Sequence, residues 1–294
     1  MSNAVNVKLS VTTPVVTMMA GAAPWERDAS IEDLARIAES ADRLGYHHLT
    51  CSEHIALPAT ELARRGGRYW DPLATFGYLA ARTERIRFAT QVLVLAYHHP
   101  LEIAKRYGTL DVVSGGRVIL GVGVGTLKEE FDLIGAQFAN RGARAEDALK
   151  ALRASLSRTE PEYHGTWYSY GGMVVDPCAV QAHVPIWVGG RTLRSLRRAV
   201  ALGDGWSPFN VTPVQAEEWL QRVELPTGFD VVLATGRRLD PIDEPRQTQD
   251  LLAETAARGA TIIPSSFAHA SVEEYLDNLQ ALAELLPGLG TGTT

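Results

Sequence analysis

The sequence has few cysteines, no long apolar run and no excess of positive charge. Its two cysteines, Cys51 and Cys178, have a spacing that fits neither a disulfide framework nor a zinc site. We therefore expect a cytoplasmic protein, with a single bridge between the two cysteines as the alternative. With 28 Lys and Arg against 34 Asp and Glu, the net charge of −6 argues against a nucleic-acid partner.

A membrane span needs roughly 18 consecutive apolar residues, and the sequence has no such run, so no membrane contact is expected. The segment from Lys8 to Met19, followed by residues 20–22, resembles a secretion signal with its cleavage site. However, Ser10, Pro14 and several threonines interrupt the apolar run. Because valine and threonine favour strands, we predict a first β-strand there instead.

Eight segments with strand character alternate with segments of helical periodicity, as in an α/β protein of the TIM (β/α)8 barrel type. Residues 7–16, 86–95 and 229–235 are the first, third and seventh predicted strands. An open, doubly wound sheet, which has about six strands, is the alternative. We expect a single barrel domain over residues 1–287 and a flexible tail over residues 288–294.

One segment breaks this alternation. After a helix predicted over residues 145–156, residues 163–175 alternate around two glycine-containing turns, which predicts a hairpin. The hairpin would lie within an insertion of about residues 157–184, before the fifth strand.

The fourth predicted strand ends in three alternating glycines, Gly121, Gly123 and Gly125. Glycine weakens a strand interior, so its repeated use indicates that another backbone or a ligand comes close. The spacing fits the dinucleotide-binding motif G-x-G-x-x-G poorly, because no helix opens directly after it. A strand exit that is glycine-rich for its turn alone is the alternative.

In such a barrel the active site lies at the carboxyl ends of the strands. The residues at those ends are Ser52, Glu53, His54, Thr90, Gln91, Gly121, Gly123, Gly125, Gly189, Gly190, Arg191, Trp206, Phe209 and Asn210. Glu53 is the only carboxylate among them, and His98-His99 lacks a third ligand, so we expect no metal site.

His54 is the candidate catalytic residue, because an imidazole at a strand exit can contact a ring cofactor or transfer a proton near neutral pH. A structural histidine bonded to a loop carbonyl is the alternative. His47 and His48 begin the same strand at the far end of the barrel, and we predict a structural role for them. The sequence has no G-x-S-x-G motif, and Cys51 precedes rather than ends the exit of the second strand, so the chemistry should come mainly from a bound cofactor.

A second candidate lies after the fifth strand, where Gly189, Gly190 and Arg191 precede a helix that starts at Thr192. The free backbone N–H groups at a helix start bind anions such as phosphate, and Arg191 would add a charged donor. A simple chain turn with a solvated Arg191 is the alternative.

Together these features resemble the luciferase-like monooxygenase superfamily, in particular the branch that uses the deazaflavin coenzyme F420. The resemblance extends from the first strand to about Ala270. It rests on residues 110–125, 185–190 and 202–206, on Asp71-Pro72 with residues 80–86, and on residues 129–131, 135, 138 and 141–144.

The resemblance implies that the cofactor ring lies across the barrel mouth, near Ser52 and in contact with His54. It also implies that Thr90 and Gln91 form a bulge behind the ring, often with a cis non-proline peptide. Gly121 and Gly123 would line the other side of the ring. The phosphate would be held by Gly189, Gly190, Arg191 and Thr192. The family implies a homodimer.

We therefore predict an oxidoreductase that moves a hydride between F420 and a small organic molecule. One alternative is an FMN-dependent two-component monooxygenase, which inserts oxygen through a flavin peroxide and needs a reductase partner. Another is a non-catalytic relative that binds a flavin or deazaflavin.

Two further residue groups bear on the substrate and the cofactor tail. Sugar-phosphate dehydrogenases of this branch carry a carboxylate where this chain has Thr126, which argues against glucose-6-phosphate as substrate unless Glu129 or Glu130 replaces that acid. From charge alone, Arg64, Arg65 and Arg68 could contact a polyglutamyl tail.

Overall fold

The computed structural model describes residues 7–19 and 21–285. Eight short parallel strands are each followed along the chain by a helix of eight residues or more. The strands are β1 (Lys8–Val11), β2 (His48–Cys51), β3 (Arg87–Thr90), β4 (Val118–Gly123), β5 (Ile186–Gly190), β6 (Gly205–Pro208), β7 (Asp230–Val231) and β8 (Ile262–Ser265). The helices are α1 (Ile31–Arg43), α2 (Pro72–Ala80), α3 (Pro100–Ser114), α4 (Arg141–Ser155), α5 (Leu193–Leu202), α6 (Pro213–Leu220), α7 (Pro245–Ala257) and α8 (Val272–Leu285).

The eight strands form one parallel sheet in the order β7-β6-β5-β4-β3-β2-β1-β8. A parallel bridge between Val232 and Ile262 joins the two ends of this order, and Leu233 N donates to Ile262 O at 3.0 Å. The sheet therefore closes on itself. The predicted (β/α)8 barrel is confirmed, and the open-sheet alternative is wrong.

Helix starts follow the local sequence. Ser30 Oγ accepts from Asp33 N at 3.2 Å, and the Asp33 carboxylate accepts from Ser30 N at 2.9 Å, so both side chains cap the first turn of α1. Asp71 caps α2 with a single hydrogen bond, accepting from Ala74 N at 2.9 Å, and Pro72 occupies the first helical position. None of the described helices combines the length and apolar composition needed to cross a bilayer.

Several predicted bounds are wrong. β1 ends at Val11 rather than at residue 16, and Val15, within the predicted strand, adopts a left-handed φ of 72° that regular strands exclude. The seventh strand shrinks from residues 229–235 to Asp230–Val231, and α4 starts at Arg141 rather than at residue 145. A short helix over Lys128–Leu133, directly after β4, was not predicted.

The third predicted strand, residues 86–95, is interrupted. β3 ends at Thr90, a cis peptide follows between Gln91 and Val92, and Leu93–Val94 pairs separately with β4. The chain thus has a cis non-proline peptide at the place that the family resemblance implied.

The inserted segment contains a hairpin that is shorter than predicted. Tyr163–His164 pairs in antiparallel fashion with Ser169–Tyr170. The Asp147 carboxylate on α4 holds it, accepting from Tyr163 Oη at 2.6 Å and from Trp167 N at 2.8 Å. The predicted tail, residues 288–294, lies outside the described residues.

The barrel interior is filled with side chains. Ala89, Ile119, Trp187, Val232 and Ile262 form one buried cluster there. His47 stacks on Trp187, and His48 meets the same ring edge-on. Burial lowers the pKa of His47 to about 3, so this half-buried imidazole is neutral, and its stacking on Trp187 fits the structural role predicted for it.

Candidate active site

The carboxyl ends of the strands surround a cavity of about 530 Å³, which is within the size range of small-molecule sites. Of the candidate residues, Ser52, Gln91, Phe209 and Asn210 line this cavity. The candidates that lie outside its wall are Glu53, His54, Thr90, Gly121, Gly123, Gly125, Gly189, Gly190, Arg191, Thr192 and Trp206. The loops after β7 and β8 contribute Arg238 and His269, which sequence reasoning missed.

His54, in the loop after β2, is paired with a buried carboxylate. Its Nδ1 lies 2.8 Å from Glu130 Oε2, and Tyr97 Oη donates to the same oxygen at 2.8 Å. The other oxygen, Oε1, accepts from the backbone N–H of Ile55 at 2.5 Å. The contacts with His54 and Ile55 thus hold the loop after β2, and the contact with Tyr97 ties it to the segment that follows the cis peptide.

The hydrogen bond between Glu130 and His54 determines where the proton lies on each of the two side chains. Burial opposes ionisation of Glu130, but the hydrogen bonds from His54 and Tyr97 outweigh it and hold the pKa of the carboxyl below its ordinary value. An ionised carboxylate can only accept, so His54 Nδ1 carries the proton. Nε2 then remains to accept a proton or a hydrogen bond, and Tyr69 packs against the imidazole edge-on, with ring centroids 4.5 Å apart.

Glu130 comes from the short helix after β4, and from the sequence it was named as part of the family resemblance and as a replacement acid, not as a partner of His54. A signal for its burial was present. Leu127, Glu130 and Phe131 have the i, i+3, i+4 spacing of one helix face, and all three are buried while Glu129 is exposed. A carboxylate on the apolar face of a helix must find polar partners.

A second carboxylate–imidazole pair lies beside the first. Glu53, next to His54 in the chain, accepts from Val94 N at 2.8 Å and lies 2.6 Å from His98 Nε2. Burial disfavours the charged imidazole, but the hydrogen bond and charge of Glu53 outweigh it and raise the pKa of His98. The pair fixes the chain that follows the cis peptide.

Hydrogen bonds also fix the peptide bulge itself. Ser52 Oγ donates to Gln91 O at 2.6 Å, and Thr90 Oγ1 donates to Gly121 O at 2.7 Å. A Cβ on Gly121 would lie 1.9 Å from Thr90 O, which no side chain tolerates. Gly121 therefore lets the backbone of β3 approach β4.

The next glycines make room for Val92. A Cβ added to Gly123 or to Gly189 would lie 2.6 Å from a methyl group of Val92. The alternating glycines thus have a packing reason, since a neighbouring backbone and the side chain after the cis peptide occupy the space that they leave.

After β5, the chain turns into α5 as predicted. Gly190 has a φ of 143°, a region that side chains rarely adopt, and Thr192 caps the helix by accepting from Ser195 N at 3.3 Å. Ser195 Oγ also accepts from the indole of Trp206 at 3.2 Å. Arg191 is exposed beside this helix start, an arrangement that can hold an anion.

The arginines of the loop after β2 are engaged with the protein. Arg64 and Arg65 both donate to the Glu61 carboxylate, at 3.0 Å from each Nε. Arg68 donates to the backbone oxygen of Glu26 at 2.7 Å. Arg64 and Arg65 thus hold their own loop, and Arg68 ties this loop to the segment after β1.

The family model for luciferase-like monooxygenases matches residues 9–226, most of the barrel. The chain belongs to this family. An uncharacterised family relative from Mycobacterium tuberculosis is 30% identical over 200 residues, 64% of this chain and 69% of that protein.

Relatives with stated activities differ in chemistry. The F420-dependent glucose-6-phosphate dehydrogenase of Nocardia farcinica is 29% identical over 217 residues, 72% of this chain and 62% of that protein. The 4-hydroxyprotoasukamycin monooxygenase of Streptomyces nodosus subsp. asukaensis is 34% identical over 125 residues, 42% of this chain and 32% of that protein.

Two solved structures of the same fold show the same division. An F420-dependent secondary alcohol dehydrogenase, with an F420–acetone adduct, has a TM-score of 0.71 at 13% identity, covering 96% of this chain and 98% of that one. The oxygenating constituent of 3,6-diketocamphane monooxygenase from Pseudomonas putida, with FMN, has a TM-score of 0.69 at 14% identity, with coverage of 96% and 98%. The family thus includes both F420-dependent dehydrogenases and monooxygenases.

Proposed function

We propose that this protein is an oxidoreductase that transfers a hydride between coenzyme F420 and a small organic molecule. The observation that carries the proposal is the His54–Glu130 pair at the carboxyl ends of the barrel strands. In this pair Glu130 holds the His54 imidazole in the tautomer that is protonated on Nδ1. The F420-dependent relative supports the cofactor, because its similarity extends over 72% of this chain, against 42% for the monooxygenase relative.

The residues present fit a planar ring cofactor with a phosphate-bearing tail. Ser52 and Gln91, held together by their hydrogen bond, form a rigid wall of the cavity against which a ring can lie. The start of α5, with Gly190, Arg191 and Thr192, offers donors for a phosphate. The bound deazaflavin would supply the hydride chemistry, and the protein would supply binding and orientation.

His54 lies outside the wall of the 530 Å³ cavity, so we propose that the substrate extends from this cavity to His54 Nε2, which would hold or move the proton that accompanies hydride transfer. Glu130 keeps the proton of the neutral imidazole on Nδ1, so Nε2 can accept a proton from an alcohol as it is oxidised. In the reverse direction, the imidazolium would return that proton to the developing alkoxide. The carboxylate stabilises the imidazolium in either direction.

Glucose-6-phosphate is not the substrate that we propose, although one relative uses it. The family resemblance implies an acid at the position that Thr126 occupies in this chain. Glu130 does not replace that acid, because His54, Tyr97 and Ile55 engage both of its oxygens. Glu129 is exposed.

A second candidate function, an FMN-dependent monooxygenase, is favoured by the similarity to the Streptomyces nodosus enzyme over 125 residues. The two functions differ in their use of oxygen. Under anaerobic conditions, the hydride-transfer proposal expects reduced F420 to be oxidised when a ketone or aldehyde panel is added with the protein. Oxygen consumption with reduced FMN, together with no anaerobic oxidation of reduced F420, would contradict it.

A further inference from the structure

The cavity wall contains an imidazole that is separate from the His54–Glu130 pair. His269 follows β8, lines the cavity, and has 11% of its side chain exposed. The rings of Trp25 and Tyr275 meet it edge-on, with centroid distances of 5.5 Å and 5.0 Å. These two contacts hold the imidazole in one orientation.

Trp25 determines which nitrogen of His269 carries the proton. The indole Nε1 lies 2.8 Å from His269 Nδ1, and an indole N–H can only donate. Nδ1 is therefore the acceptor, and the proton of the neutral ring is on Nε2. Burial lowers the pKa of His269, which keeps the ring neutral near pH 7.

The Nε2–H group has no acceptor within hydrogen-bond distance among residues 7–19 and 21–285. Glu26 Oε1 is 4.0 Å away, which is too far for a hydrogen bond. The Glu26 oxygens accept instead from the backbone N–H groups of Val15, at 2.7 Å, and Ala23, at 2.9 Å. A donor on the wall of a cavity that no protein group satisfies is available to a ligand.

We propose that His269 Nε2 donates a hydrogen bond to an uncharged oxygen of the substrate, such as the carbonyl of a ketone or aldehyde. The assignment rests on the proposed function, because it concerns the molecule that exchanges a hydride with the cofactor. His269 is thus a substrate-binding residue on a part of the wall formed by the loop after β8, while Ser52 and Gln91 belong to the part next to the cis peptide.

The charges around His269 favour an uncharged oxygen over an anion. The Glu26 carboxylate is buried 4.0 Å from Nε2 and would repel a negative group bound there. Arg238 also lines the cavity, but it is exposed and donates to Gly21 O at 3.0 Å, so solvent screens its attraction for an anion.

The tautomer is the first part of the test. Nitrogen NMR of the full-length protein without cofactor resolves imidazole protonation, and the His269 signals are those lost in His269→Phe. We expect Nε2 to be protonated and Nδ1 to be a hydrogen-bonded acceptor, and Trp25→Phe to give a mixture of tautomers. Protonation of His269 at Nδ1 in the unsubstituted protein would overturn the proposal.

Binding of a probe is the second part, again without cofactor. Cyclohexanone should lose about tenfold or more in affinity in His269→Phe, which keeps the ring packing, whereas His269→Gln, which retains a donor, should stay within about threefold. The anion cyclohexanecarboxylate should bind more weakly than cyclohexanone. No binding of cyclohexanone, equal affinity in His269→Phe, or tighter binding of the anion would each overturn the proposal.

The cofactor also carries carbonyl oxygens, which could accept the hydrogen bond from His269 in place of the substrate. A titration of His269→Phe with F420 distinguishes a cofactor oxygen from a substrate oxygen. The proposal expects F420 affinity to change by less than about threefold. Loss of F420 affinity with unchanged cyclohexanone affinity would show that His269 binds the cofactor and would overturn it. These binding measurements need no turnover. Their outcome therefore does not depend on whether the hydride-transfer assay succeeds.

Discussion

His54 Nδ1 and Glu130 Oε2 lie 2.8 Å apart, although the two residues are 76 positions apart in the chain. One follows β2 and the other follows β4, and β3 stands between these strands in the sheet. The hydrogen bond therefore crosses the loop region above β3, where the cis peptide lies. A buried carboxylate that orients an imidazole is the arrangement by which proteins fix a histidine for proton transfer.

Glu130→Gln should lower the turnover number by about tenfold or more, because the amide neither stabilises an imidazolium nor fixes the tautomer of His54. The Kd for F420 should change by less than about threefold. Steady-state kinetics and a cofactor titration check both values. Glu129→Gln, on the exposed side of the same short helix, is the matched control. Equal turnover of Glu130→Gln and the unsubstituted protein would assign Glu130 a purely structural role.

His54→Ala should lower the turnover number by about 100-fold or more, the range for loss of a general acid or base, and should affect cofactor affinity less. His164→Ala, which removes an exposed imidazole from the hairpin, is the control. Unchanged turnover would reduce His54 to a structural residue. A proportional loss of turnover and cofactor affinity would place its contribution in binding.

Gly121→Ala should destabilise the barrel by about 1–3 kcal/mol or more, because the new methyl group would collide with the backbone oxygen of Thr90. Gly77→Ala is the matched control, since that glycine lies within α2 and a Cβ there meets nothing within 4 Å. It should stabilise the protein by about 0.5–1 kcal/mol. Urea unfolding gives both free energies, and similar values for the two variants would contradict the packing role of Gly121.

The pKa of His98 is raised above 6.5 in the folded protein. The charged pair of His98 with Glu53 therefore stabilises the fold fully at pH values below the unfolded-state pKa of His98. This stabilisation is lost as the pH rises through the folded-state pKa. His98→Gln keeps a donor for Glu53 but cannot titrate. The loss in unfolding free energy on this substitution should therefore be larger at about pH 5.5 than at about pH 8.5. A loss that does not change with pH, measured by urea unfolding, would show that the charge contributes nothing.

The barrel was predictable because strand and helix periodicities alternate eight times, and because strand exits in a barrel share one end. Ser52 and Gln91 line the cavity, and their place at strand exits is visible in the sequence alone. The bounds were less predictable where the chain departs from regular geometry. β1 ends at Val11 and β3 ends at Thr90, although the composition of both segments is that of a longer strand.

The partners of the site residues could not be predicted, because they depend on which side chains the closed barrel brings together. Glu53 and His98 are 45 residues apart, and Trp25 and His269 are 244 apart. Glu130 is an exception, since its place on the apolar face of a short helix is visible in the spacing of Leu127, Glu130 and Phe131. That spacing predicts burial, but it does not reveal His54 as the partner.

The central claim is that the barrel binds F420 for hydride transfer, and a titration with F420 and with FMN tests it most directly. The fluorescence of the six tryptophans reports binding, since Trp206 packs beside Ser195 at the start of α5. The account predicts a Kd for F420 on the order of 1 μM and at least about tenfold weaker binding of FMN. Tighter binding of FMN than of F420 would contradict it and favour the oxygen-inserting function.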